Sequence, residues 1–254
     1  MYSCYQTVIN IFFNNGCGSR SSAQGGSRTM KHKSHGQFLL DLLSGNYKIK
    51  QNDIGADAHL SKKGFHFDTQ TYTIENLGHL CIMKMKAMFG LMQMETIVLS
   101  VTHKDVSLLN MDWVGVPGRQ TMLGELYDTQ IAPWPDRRQQ PYRIILERDG
   151  DLPDYRSGSA HWYDSILYPC SYHKFGKGIS SRLDASARTF ARVFVRQLET
   201  APSCEPAVKE HKAKEFAENL VSHCGPAVDQ VTKLFGAETA RRLILHHMYG
   251  IMEY

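Results

Sequence analysis

The sequence predicts an α+β protein, a three-layer α/β/α sandwich with a central antiparallel β-sheet. Three observations point there. Strand-like segments follow one another from residue 65 to residue 128 with short breaks, the pattern of an antiparallel meander. Helical patterns gather mostly after Gly150, the segregation typical of α+β chains. The segment 92–101 is apolar on both sides, with Met92, Met94, Thr96 and Val98 on one face and Ile97, Leu99 and Val101 beside Glu95 on the other. A sheet buried on both faces needs helices on both.

Residues 37–44 (QFLLDLLS) read as a short helix stopped by Gly45. Residues 46–63 are polar and show no period. Residues 65–73 set Phe65, Phe67, Thr69 and Thr71 against polar partners, a half-buried strand. Residues 80–89 and 92–101 read as two strands of a hairpin joined at Gly90. The strand 106–116 ends in Val116-Pro117-Gly118-Arg119, where proline presets φ and glycine takes the left-handed site of a type II turn. Residues 120–128 return from it. After a Pro-rich loop, 131–141, residues 142–148 read as a further strand. Residues 154–178 read as a long aromatic connection, a length usually tied to function or mobility. Helices are expected over 184–198, 206–223, 226–235 and 237–248. Pro226 opens the third of these and Gly236 follows its end.

At 254 residues and 42% hydrophobic, the chain can build its own core without disulfide staples. Residues 1–13 weakly resemble a signal peptide but lack a basic start and a small-residue cleavage site. Residues 14–36 are rich in glycine, serine and basic side chains and read as disordered. We therefore set 1–35 apart as a disordered or mis-assigned extension, with Met30 a candidate start, and expect one domain over 36–254. Six scattered cysteines without a C-x-x-C suggest a reduced, cytoplasmic protein.

Residues 1–64 carry eight Lys/Arg against three Asp, while the remainder is almost balanced, so bulk charge does not argue for nucleic acid. No apolar run is long enough for a membrane span. No Gly-rich phosphate loop, G-x-S-x-G or H-E-x-x-H occurs. His161, Cys170 and His173, and the pair His246 and His247, lack the usual zinc-ligand spacing, so no metal is expected.

The chemistry is sought in two acids, Glu95 and Asp112, set inside apolar or sulfur-rich strands. Burial without compensation makes a carboxyl harder to ionise, which is what a general acid needs near neutral pH. The plain alternatives are a hydrogen-bonded strand aspartate at 112 and a cross-strand charge pair of Glu95 with Lys84 or Lys86.

The run Leu108-Leu109-Asn110-Met111-Asp112-Trp113-Val114-Gly115-Val116-Pro117-Gly118 resembles the strand and turn of the ferredoxin-dependent bilin reductases. This is the phycocyanobilin:ferredoxin oxidoreductase type, a family that includes red chlorophyll catabolite reductases. Val231-Thr232-Lys233-Leu234-Phe235-Gly236 and the helix after it resemble the same family, and the likeness spans roughly 65–250. It implies a three-layer sandwich that reduces an open-chain tetrapyrrole such as biliverdin. Electrons come singly from ferredoxin, no cofactor is bound, and protein acids supply protons. Asp112 matches the family's catalytic aspartate. Seventeen positions earlier the phycocyanobilin-forming enzymes carry His where this chain has Glu95, and twelve before that they carry Glu where it has Met83.

The resemblance also gives meaning to other residues. Met83, Met85 and Met94 are candidates for the wall of a flat bilin pocket, or else ordinary core. His173, Lys174, Lys177 and Arg182 are candidates to meet the bilin propionates, or else a solvated basic loop. Arg188, Arg192 and Arg196 recur every four residues and form a candidate docking stripe for acidic ferredoxin, or a plain solvated face. A non-catalytic tetrapyrrole-binding protein on the same fold is the alternative function.

Overall fold

The computed structural model describes residues 34–156, 160–223 and 226–252. The expected extension 1–35 therefore lies outside the described residues up to position 33. His35 belongs to the first helix rather than to the extension. That helix, α1 (His35–Ser44), starts there because the Ser34 side chain accepts a hydrogen bond from the Gln37 N–H, capping the open end. Leu39 and Leu43, one turn apart, are its buried stripe.

The sheet has eight antiparallel strands: β1 (Ile49–Gln51), β2 (His59–Lys62), β3 (Phe65–Ile74), β4 (Gly78–Ala87), β5 (Met92–Val101), β6 (Leu108–Val116), β7 (Arg119–Tyr127) and β8 (Tyr172–Gly176). Strands β3 to β8 lie in sequence order, and β1 and β2 share the outer edge of β3. Gly118 takes φ 74 in the β6–β7 turn, the left-handed site expected of it. Three elements complete the rear layer and part of the front: α2 (Asp136–Arg148), α3 (Ser180–Thr200) and α4 (Pro206–Ser222). After them come α5 (Pro226–Phe235) and α6 (Ala237–Arg242), which runs into a π turn, Leu243–Met248.

Side-chain alternation splits the sheet into two cores, as a three-layer sandwich requires. The front core joins Met83, Met85, Met94, Val98, Val114 and Leu123 to α4, α5 and the π turn. The rear core joins Ile82, Ile97, Leu99, Met111 and Met122 to α1, α2 and α3. Gly124 lets α3 come close, since a Cβ there would meet the Phe190 ring at 3.1 Å.

Two expectations are corrected. Residues 142–148 are the last turns of α2, not a strand. The isoleucines suggested β structure, but burial follows a helical step, with Tyr142 and Ile145 inside and Ile144 56% exposed. Packing of Tyr142 on Phe190 of α3 decides between the two, because local propensity is weaker than tertiary burial. The connection 154–178 contains a 3₁₀ turn, Trp162–Ile166, and the edge strand β8, which pairs with β7.

Candidate active site

The registers of β3 to β8 set one row of side chains across the front face. Thr69 faces Met83, Met83 faces Thr96, Thr96 faces Asp112, Asp112 faces Leu123, and Leu123 faces His173. Asp112 is fully buried in the middle of that row. Its Oδ1 accepts a hydrogen bond from Thr96 Oγ1 at 2.5 Å, and its Oδ2 accepts one from Asn110 Nδ2 at 2.9 Å.

A second carboxylate stands beside the first. The Pro117–Gly118 turn fixes the β6–β7 register so that Asn110 lies opposite Glu125. Asn110 Nδ2 also donates to Glu125 Oε2 at 3.0 Å, so one amide bridges both acids. Tyr127 donates its hydroxyl to the same oxygen at 2.8 Å. His173 Nε2 stands 3.1 Å from Glu125 Oε1, an ion-pair distance with poor hydrogen-bond alignment. Burial pushes the Glu125 carboxyl up, but His173 and the Tyr127 hydroxyl help to hold it well below the usual carboxylate range, so it is an anion at neutral pH. Burial and the Glu125 charge push the Tyr127 phenol well above its ordinary value, so it keeps its proton and donates.

Aromatic rings cover these groups. Tyr127 packs on Phe216 of α4 at 4.8 Å between centroids and on Tyr163 at 5.7 Å. Phe216 touches Trp162 at 5.5 Å and Tyr249 at 5.6 Å. Thr69 Oγ1, Asn110 Oδ1 and Trp162 Nε1 are buried around this layer without hydrogen-bond partners. Buried polar atoms are normally satisfied, so each of these three is open to a further partner.

Met83, Met85 and Met94 are buried on this same face, so the structure brings the expected methionine wall to Asp112. His173 joins it from β8. Lys174, its neighbour, points to the opposite face by strand alternation and gives its charge to Asp154 at 2.6 Å and the Leu152 carbonyl at 3.1 Å. Arg182 is held by Asp149 and Asp151 behind the sheet. Lys177 is exposed at the end of β8. The expected propionate group is thus divided, with only His173 near Asp112. Arg188 and Arg192 lie over the Phe38 ring at 4.7 and 4.9 Å, and with Arg196 they follow the outer side of α3, on the layer behind the sheet.

Glu95 and Asp112 are not brought together. Glu95 has the parity of Ile97 and Leu99 and faces the rear, where it accepts the His35 N–H at 2.9 Å and lies 4.0 Å from Lys84. Burial pushes its carboxyl up, but His35, Ser34 and Lys84 together hold it below the usual range. It is therefore an anion at neutral pH, the opposite of what a proton donor needs. His35 passes the contact on to Asp184 at 2.7 Å. Its imidazole is pulled down by burial but is raised by Asp184 and Glu95 to about 9. This rear trio ties α1 and α3 to β5.

Sequence reading missed Thr96, Asn110, Glu125 and Tyr127. The Pro-Gly turn was the available signal for three of them, since counting back from it sets Asn110 opposite Glu125 and gives Tyr127 the same face. Two clefts open on the surface, of about 400 Å³ beside Gly118, Gln120 and Asp184, and about 660 Å³ beside Tyr47, His103 and Cys204; neither touches Asp112. Among the described residues, no group of three or more His, Cys, Asp or Glu gathers as a metal site, and no helix is long and apolar enough to cross a membrane.

No protein-family model matches the chain, and no curated protein matches it. Among solved structures it is similar to phytochromobilin synthase from tomato, crystallised in complex with biliverdin. The TM-score is 0.66 at 11% identity, over 84% of this chain and 80% of that one. The two proteins share a fold, an antiparallel sheet between helical layers.

Proposed function

We propose that this chain is a divergent ferredoxin-dependent bilin reductase that reduces an open-chain tetrapyrrole on the front face of its sheet. One observation carries the reading: a fold shared with a biliverdin-bound phytochromobilin synthase holds, at its centre, a fully buried Asp112 bridged by Asn110 to a second carboxylate.

Saturating one double bond of a bilin takes two electrons and two protons. Ferredoxin supplies the electrons in two encounters, and no resident cofactor is called for. Asp112 is the first proton donor. His173, held beside the Glu125 carboxylate, takes the role of second proton donor that the sequence assigned to Glu95, and the Tyr127 hydroxyl braces that carboxylate. Met83, Met85 and Met94 form an apolar wall for a flat pigment, and Thr69 and Asn110 offer it unused polar atoms. Seating a four-ring molecule there parts α4, α5 and the π turn from the sheet, with Phe216 and Tyr249 yielding their contacts. Excluding water around the pigment then strengthens each proton donor.

A non-catalytic tetrapyrrole-binding protein is the second reading. It is favoured by Met83, which puts an apolar side chain in the acid row, and by Glu95 facing away from Asp112. Mixing the protein with biliverdin separates the two. Loss of the biliverdin absorption with a reduced product, on adding reduced ferredoxin, supports the reductase. A spectral shift without turnover supports the binding protein. No shift at all removes both.

A further inference from the structure

Alternate turns of an antiparallel meander fall at one end of the sheet. Here residues 62–65, 86–92 and 116–119 turn at the same end, and residues 176–179 leave β8 beside them. These four segments expose Lys62, Lys63, Lys86, Arg119 and Lys177, and they contain no Asp or Glu. Out of this cationic rim stands an apolar tip. Phe89 is 108% exposed, with Leu91 at 55% and Met88 at 38%.

The tip is a built shape. Met88 and Phe89 both adopt left-handed backbone, at φ 53 and 57, and the Leu91 N–H closes the turn on the Met88 carbonyl at 3.2 Å. Left-handed backbone is disfavoured for side chains of this kind, and here it turns the chain sharply enough to aim the Phe89 ring outward. Three apolar side chains at one exposed tip are not a scatter of single surface hydrophobes. Their shape is convex, so a folded partner would need a matching pocket, whereas a bilayer interface accepts a projecting ring of any outline.

We propose that this end of the sheet docks on an anionic lipid surface, with Phe89 and Leu91 entering the interface and the five cations meeting the headgroups. Acidic headgroups attract juxtamembrane Lys and Arg additively, and an inserted aromatic side chain adds apolar burial. The strands would then stand end-on to the surface, with Asp112 four residues, about 13 Å, above the rim. The inference is independent of what the front face does.

Sedimentation with vesicles tests it. The intact chain should pellet with vesicles of equal parts phosphatidylserine and phosphatidylcholine and stay in solution with phosphatidylcholine alone. Phe89→Ser/Leu91→Ser and Lys62→Glu/Lys63→Glu should each weaken that binding about tenfold or more, and salt should weaken it further. Both pairs are exposed, and circular dichroism checks that they fold. Phe89→Trp should shift its emission to the blue on the anionic vesicles. Failure of the intact chain to pellet with anionic vesicles overturns the proposal, as does equal binding by the Phe89/Leu91 variant. Retention on soluble polyglutamate with no loss in that variant would assign the rim to an acidic protein instead.

Discussion

Thr96 and Asp112 face each other across β5 and β6, with the threonine hydroxyl donating to the carboxylate at 2.5 Å. The carboxylate at the centre of the sheet also accepts a hydrogen bond from the Asn110 amide, a second neutral donor.

Replacing Asp112 with Asn keeps the shape and removes the exchangeable proton. On the reductase reading, the variant should still change the biliverdin spectrum and should lose at least about a hundredfold in turnover. Single-turnover absorption with reduced ferredoxin measures it. Unchanged turnover ends the assignment of Asp112.

His173 is the ion-pair partner of Glu125, whose side chain is buried. His173→Ala should lower stability by about 1–3 kcal/mol, because the buried carboxylate loses its imidazole partner and cannot reach water. The double variant with Glu125→Gln should lose less than the sum of the two single changes. Urea unfolding curves of the four proteins give the coupling directly, and strict additivity would mean that the pair is not formed.

The rear trio predicts a pH dependence. His35 titrates at about 9 in the folded chain against an ordinary 6.5. A pKa raised by folding contributes stability that is complete below 6.5 and is lost as pH rises through 9. The loss should be on the order of 3–4 kcal/mol, since each pKa unit is worth about 1.4 kcal/mol and the ring is well buried. His35→Gln should flatten the stability curve between those two values. An equal slope in the variant would remove His35 as its source.

Lys209 of α4 is almost wholly buried and donates to the carbonyls of Val106 and Thr129 at 2.6 and 2.8 Å. Lys209→Met should cost about 1–3 kcal/mol at neutral pH by leaving those carbonyls unpaired. Burial lowers the amine to about 8. A depressed lysine binds its proton more weakly when folded, so the wild type gains stability relative to Lys209→Met as pH climbs from 8 toward 10.5. Thermal melts at pH 7 and pH 10 show whether the gap widens.

Much of the fold could be read from residue order because alternation and turn chemistry agree along β3 to β7. Pro117 and Gly118 even encode the register that brings Asn110 to Glu125. The opposed facings of Glu95 and Asp112 were also present in the strand parity of Met94, Glu95 and Thr96. What could not be read depends on distant partners. The segment 142–148 becomes helical through contact with Phe190, and β8 is an edge strand of five residues that β7 alone completes. The anionic state of Glu95 comes from His35, sixty positions away, within a stretch that composition marks as disordered.

The π turn at Leu243–Met248 is one residue wider than an ordinary helical coil, and that surplus has a consequence. It sets His247 against Asp57, where the imidazole lies 2.8 Å from a carboxylate that Arg242 also grips. Were the ladder to close as an ordinary α-helix with every residue kept, everything beyond it would swing by about 100°. His247 would leave Asp57 and Tyr249 would leave Phe216. The wide coil, rather than the spelling of the segment, is therefore what aims these two side chains.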